Sequence, residues 1–173
     1  MSLIETIAYI LWGIALLIAA VIVVRWLVDA LKRDEDTLYV TLDEGGAAPT
    51  RAFLTDAGLD LYSPVDIWVP TRGVTFIDTR VHIQMCEGEG GEIRGRSGLS
   101  RRGILVANGT IDSDYRGSLG VLLYNVSDED YHIHEGDRIA QLVIVPVALP
   151  KVKVVDVLNG SERDEDGFGS TGR

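Results

Sequence analysis

At 173 residues the chain has room for one domain of ordinary size and not for a second catalytic one. With 46% hydrophobic and 24% charged residues it reads as globular rather than disordered, and part of the apolar content is concentrated at the N-terminus. A formal net charge of −10 repels a phosphodiester backbone, so nucleic acid is not expected as a partner, and any phosphate site must be a local cluster of arginines. The single cysteine, Cys86, excludes an intrachain disulfide and a multi-thiolate zinc site, and reads as a buried, inert thiol.

In chain order, residues 6–24 come first and carry no charge. At 1.5 Å per residue that run nearly matches a hydrocarbon core ~30 Å thick, which predicts one transmembrane helix. Arg25, Lys32 and Arg33 follow it while only Glu5 precedes it, so the positive-inside rule predicts a single-pass anchor in the lipid bilayer with the remaining domain facing the cytoplasm. The charged stretch DALKRDED at 29–36 closes this segment, giving an anchor and linker over 1–36.

Beyond residue 36 no long segment keeps a 3.6-residue apolar period, and short runs rich in Val, Ile, Leu, Tyr and Thr alternate with Gly, Asp, Asn and Pro. This predicts an all-β domain over 37–160, a sandwich, jelly roll or barrel. Strands are expected at 37–42, 65–69, 73–84, 104–106, 119–125, 138–145 and 151–157, with turns at 45–46, 87–91 and 135–136. Residues 161–173 (SERDEDGFGSTGR) are too poor in apolar groups to hold themselves on a core, and their composition suits a flexible lid that orders over a ligand.

Five strings stand out: AGLDLYS from Ala57, GRSGLS from Gly95, GTIDSDYRG from Gly109, GDRIAQLVI from Gly136 and RDEDGFGSTG from Arg163. Each alone is a weak signal, because Gly-Asp turns and Gly-Ser tails are common; together, in this order and spacing, they resemble the motifs of the trimeric dUTP diphosphatase (dUTPase) family. The resemblance covers nearly all of the chain except the apolar N-terminus. It implies a dUTPase-like distorted jelly roll, magnesium-dependent hydrolysis of dUTP to dUMP and pyrophosphate, and a homotrimer with shared active sites.

Cleaving a nucleoside triphosphate with water needs a carboxylate to orient and deprotonate the water, cations to neutralise phosphates, and exclusion of solvent. Asp112 and Asp114 flank Ser113 and in an extended chain would share a face; their periodicity does not say which one works. The resemblance assigns catalysis to Asp112. It places Tyr115 against the deoxyribose, where a 2′-hydroxyl would not fit, and the uracil against main-chain groups of the hairpin before Asp112, with Asn108 and Gly109 in its turn. Arg96, Ser97 and Gly98 combine a guanidinium, a hydroxyl and a bare backbone suited to phosphate.

Asp60 and Gln141 match positions that hold the magnesium and its waters or order the phosphate site. Arg138, in the same string as Gln141, reads as a structural strand residue. Arg163, Phe168, Gly169, Ser170 and Thr171 resemble the family's lid, whose arginine and hydroxyls hold the terminal phosphates and whose ring stacks on uracil. Asp164 and Asp166 depart from the usual glycines there and add negative charge beside a triphosphate. His132 and His134 alternate and invite a metal reading, but two imidazoles without further ligands read as exposed strand residues. Two other functions fit parts of the pattern: a dCTP deaminase-like enzyme, which the complete lid disfavours, and a membrane-tethered, dUTP-sensing module that binds another protein.

Overall fold

A computed structural model describes residues 3–31, 37–107, 109–161 and 164, and within the first helix the side chains of residues 9, 11–25 and 27. In chain order the elements are α1 Leu3–Leu31, β1 Tyr39–Leu42, β2 Leu59–Tyr62, β3 Ile67–Val69, β4 Val74–Asp78, β5 Val81–Gln84 and β6 Glu89–Arg94. After these come α2 Ser97–Ser100, β7 Ile104–Val106, β8 Gly109–Ile111, β9 Gly120–Asn125, β10 Tyr131–Ile133 and β11 Arg138–Pro146.

Every strand pair is antiparallel. A four-stranded sheet runs β2-β11-β6-β8, a three-stranded sheet runs β4-β9-β7, and β1-β5 and β3-β10 form two-stranded ribbons. The all-β expectation therefore holds. Alternation explains which faces meet: in β9, Val121, Leu123 and Asn125 point inward while Tyr124 faces out. Leu61, Ile93, Ile139 and Leu142 of the larger sheet join Ile77, Val81, Ile104, Val121 and Leu123 in one core cluster, and each such side chain contributes roughly 1.5–3 kcal/mol by leaving water.

Asn125 is the fully buried side-chain amide among the described residues, and it is satisfied. Asn125 Nδ2 donates to Val69 O at 2.9 Å and to Glu129 O at 2.7 Å, while its Oδ1 accepts from Ser127 N at 2.9 Å and from Ser127 Oγ at 2.6 Å. It ties β3, β9 and the following turn together in a place where any unpaired polar atom would be costly.

The strand expected at 73–84 is two strands, because Arg80 takes a left-handed φ of 61° and the buried Thr79 hydroxyl donates to Leu119 O at 2.7 Å. Only Glu87 and Gly88 turn; residues 89–91 open β6, where two buried glycines conceal the strand signal. Cys86 is half-buried. The strand expected at 151–157 does not pair among the described residues, and Val152 and Val154 are 94% and 92% exposed.

The predicted membrane anchor is not upheld: among the described residues no helix is long and apolar enough to cross a membrane. The apolar run does form α1, a helix over Leu3–Leu31. The single-pass topology, the bilayer contact of residues 6–24 and the cytoplasm-facing placement fall with it.

Candidate active site

Asp60, Gln141 and Arg94 stand in one cross-strand row, since Gln141 of β11 pairs with Asp60 of β2 on one side and with Arg94 of β6 on the other. Just past β6 the chain turns into α2, so Arg96, Ser97 and Gly98 overhang the end of this row. A cleft of about 560 Å3 lies there, lined by Asp56, Gly58, Asp60, Arg94, Arg96, Ser97, Gly98, Arg138 and Gln141. Three arginines against two aspartates leave the lining positive within a chain of net charge −10.

Asp60 is the hub. Its Oδ1 lies 2.8 Å from Arg96 Nε and its Oδ2 3.1 Å from Arg138 Nη1, and its side chain is only 14% exposed. Arg96 Nη1 also donates to Arg138 O at 3.3 Å. One carboxylate thus fixes two guanidinium forks that would otherwise sweep solvent, and both retain donors for an anion.

Gln141 Nε2 donates to Gly95 O at 3.1 Å. A Cβ on Gly58 would stand 2.3 Å from Gln141 Oε1, so the glycine of AGLDLYS is what lets that amide lie against β2.

Sequence reasoning missed Arg138 as part of this site. It stands three positions before Gln141, and strict alternation puts an odd offset on opposite faces. A register shift between Arg138 and Ala140 breaks that alternation: Ile139 and Ala140 are both buried, and Arg138 swings onto the Gln141 side. Two consecutive buried residues ahead of Gln141 are the trace of this bulge.

Asp112 is elsewhere. It follows β8, whose Ile111 pairs with Gly91, so it lies level with Gly90, four residues back from Arg94 along β6. At ~3.3 Å per residue that is about 13 Å along the sheet. It lines a separate cleft of about 730 Å3 with Glu87, Glu89, Thr110, Asp114, Arg116, Val147 and Leu149. Asp112 and Asp114 are both exposed, and Tyr115 N donates to Asp112 O at 3.0 Å, which closes a tight turn over IDSDY. Tyr115 lines neither cleft and is 43% exposed; its hydroxyl donates to Ser118 O at 3.1 Å, with the ring folded so closely over Gly117 that a Cβ there would meet Oη at 2.2 Å.

One protomer therefore brings Arg96, Ser97, Gly98, Asp60 and Gln141 together and sets Asp112 apart from them, with Gly109 in β8 and exposed. Asn108, Arg163, Phe168, Gly169, Ser170 and Thr171 lie outside the described residues. Asp164 has a φ of 44° and its N–H donates to Ser161 Oγ at 2.9 Å.

Two titrating groups flank the Asp112 turn. His82 Nε2 lies 3.0 Å from Asp43 Oδ2, which raises the imidazole pKa above its ordinary 6.5, with the bond between His82 and Arg116 O adding to the shift. Asp78 is held below its usual 3.8, first by the Ser118 hydroxyl and then by the Arg80 N–H.

The dUTPase family model matches residues 44–172. The chain belongs to the dUTPase family. It is 47% identical over 132 residues to a deoxyuridine 5′-triphosphate nucleotidohydrolase of Arabidopsis thaliana, covering 76% of this chain and 80% of that one. A probable deoxyuridine 5′-triphosphate nucleotidohydrolase of Schizosaccharomyces pombe is 44% identical over 132 residues, with 76% and 94% covered. Among solved structures, a variant dUTPase of Staphylococcus bacteriophage 80alpha with dUpNHpp matches at a TM-score of 0.76 and 32% identity, over 80% of this chain and 99% of that one. A variant dUTPase of phage phi11 of S. aureus, described as revealing the coordination of a structural Mg(II) ion, matches at 0.65 and 32% identity, over 70% and 98%.

Proposed function

We propose that this dUTP nucleotidohydrolase builds its active site from two subunits, the arginine cleft of one facing the Asp112 turn of another. The chain hydrolyses dUTP to dUMP and pyrophosphate and works with magnesium. The observation that carries the shared site is the separation of the two clefts within one chain. Unpaired residues 151–157, with valines exposed to solvent, support it further: they form a segment whose apolar side chains need cover from another copy. A homotrimer is the assembly that the family resemblance implies for such sites.

In this reading Arg96 and Arg138, braced by Asp60, hold the phosphates, with Ser97 and the bare backbone of Gly98 approaching an oxygen. The cleft lining offers oxygen donors and no imidazole or thiolate, which suits magnesium. The ion would take substrate oxygens and waters, with Asp60 and Gln141 facing those waters, and it neutralises charge on the phosphates when bound.

Asp112 accepts a proton from water as the water oxygen bonds to the α-phosphorus. The bond from that phosphorus to the bridging oxygen breaks, and pyrophosphate leaves with the electron pair. Tyr115, its ring fixed over Gly117, closes the space beside C2′ and so selects deoxyribose. Gly109 and Asn108 offer main-chain groups to uracil, and Arg163, Phe168, Gly169, Ser170 and Thr171 act as the lid over base and phosphates.

A nucleotide panel with magnesium, read as pyrophosphate release, tests the assignment. Asp112→Asn is expected to lower kcat at least ~100-fold while dUTP still binds. Turnover near the wild-type rate in that variant would remove Asp112 as the base.

A further inference from the structure

Ribbon β3-β10 carries a cluster that the nucleotide chemistry does not use. His132 pairs with Trp68 across the ribbon, and the same register sets His134 opposite Asp66, so all four side chains share one face. His134 Nδ1 lies 3.2 Å from Asp66 Oδ1, and His132 Nε2 lies 4.0 Å from the same oxygen. The three ligand atoms all fall within 4.8 Å of one another. Trp68 stacks on His132 with ring centroids 4.4 Å apart, and His134 meets His132 edge-on at 4.2 Å, so the rings are held in place.

We infer that Asp66, His132 and His134 bind one divalent transition ion of the zinc class, distinct from the magnesium of the nucleotide site. Zinc sits about 2.0–2.1 Å from imidazole nitrogen and carboxylate oxygen, which places tetrahedral ligand atoms roughly 3.3 Å from one another. One edge of the cluster already has that length, and small side-chain rotations bring in the second. Two nitrogens and one oxygen leave a fourth position for water, a donor set that suits zinc, copper or nickel and is poor for magnesium, which prefers oxygen alone. The third ligand is what the sequence hides: Asp66 is 66 residues from His132 and reaches it only through the antiparallel register.

The site also has a structural consequence. His134 N–H donates to Asp137 Oδ2 at 2.9 Å in the turn that leads into Arg138. An ion clamping β3 to β10 therefore braces the turn before β11.

The test uses the full-length chain with magnesium in millimolar excess, titrated with zinc chloride by calorimetry and with cobalt(II) by visible absorption. The wild type is expected to bind one ion per chain with a Kd on the order of micromolar, with cobalt bands of low-coordinate geometry displaced by zinc. His132→Gln, His134→Gln and Asp66→Asn should each weaken zinc at least ~tenfold while circular dichroism stays unchanged. Copper(II) should quench Trp68 emission in the wild type and not in the His132→Gln variant. Absence of saturation in the wild type, or equal zinc affinity in the variant lacking all three ligands, would overturn the assignment.

Discussion

Arg96 Nε stands 2.8 Å from Asp60 Oδ1, and this single ion pair holds in place a long side chain beyond the end of β6. Asp60 can do this because it is anchored in β2 and mostly shielded, with 14% of its side chain exposed, so the pair is less screened than a surface one. Its other oxygen serves Arg138, and the two arginines are therefore coupled through one residue.

Asp60→Asn should accordingly act as a loss of aim rather than of charge on the phosphate. An arginine–carboxylate bond contributes about 1.5–3 kcal/mol, so kcat/KM for dUTP should fall about 10- to 100-fold, mostly through KM, with the melting temperature little changed. Combining it with Arg138→Ala should cost less than the product of the separate effects, because both act through one contact. Steady-state kinetics of the single and double variants checks this; fully multiplicative losses would show that Asp60 and Arg138 act separately.

Stability should depend on pH in two windows. His82 has a raised pKa in the folded chain, so the stability from its bond to Asp43 is fully present below about pH 6.5 and is lost as pH rises through the raised folded value. Asp78 has a lowered pKa, so its contribution is present above about pH 3.8 and disappears as pH falls through the lowered folded value. Urea midpoints across pH should decline less on the alkaline side in His82→Gln and less on the acid side in Ser118→Ala, each measured against the wild type.

Asn125→Ala should be the most damaging change outside the active site. It strips partners from the buried Val69 O and from the part-buried bonds to Glu129 O and Ser127 N, at an expected cost of about 3 kcal/mol. Denaturant unfolding measures it. A loss below about 0.5 kcal/mol would mean that water replaces the amide.

The fold class was legible because short apolar runs separated by turn residues leave an all-β chain few alternatives, and β7 stands where it is expected, at 104–106. β6 was not, since its EGGEIR sequence carries buried glycines whose reason is packing from strands distant in sequence. Arg96, Ser97 and Gly98 line the arginine cleft that their residue types suggest, whereas Arg138, which reads as structural from its core-like strand, reaches the cleft through a bulge that carries no plain sequence signal. The apolar run at 6–24 predicts an anchor from its lack of charge and its basic flank, yet among the described residues no helix is long and apolar enough to cross a membrane. Asp66 carries no local signal at all, since only strand pairing brings it to the two histidines.

Complementation in mixed oligomers tests the shared site most directly. Asp112→Asn and Arg96→Ala, each inactive or nearly so alone, are co-expressed in equal amounts with different tags and purified through both. If the arginine cleft of one subunit works with Asp112 of another, each mixed trimer holds one intact site in three, and dUTP hydrolysis rises to about a third of the wild-type rate. If the two clefts served one chain alone, every site would carry a lesion and the mixed oligomers would stay as inactive as their parents, which would contradict the account.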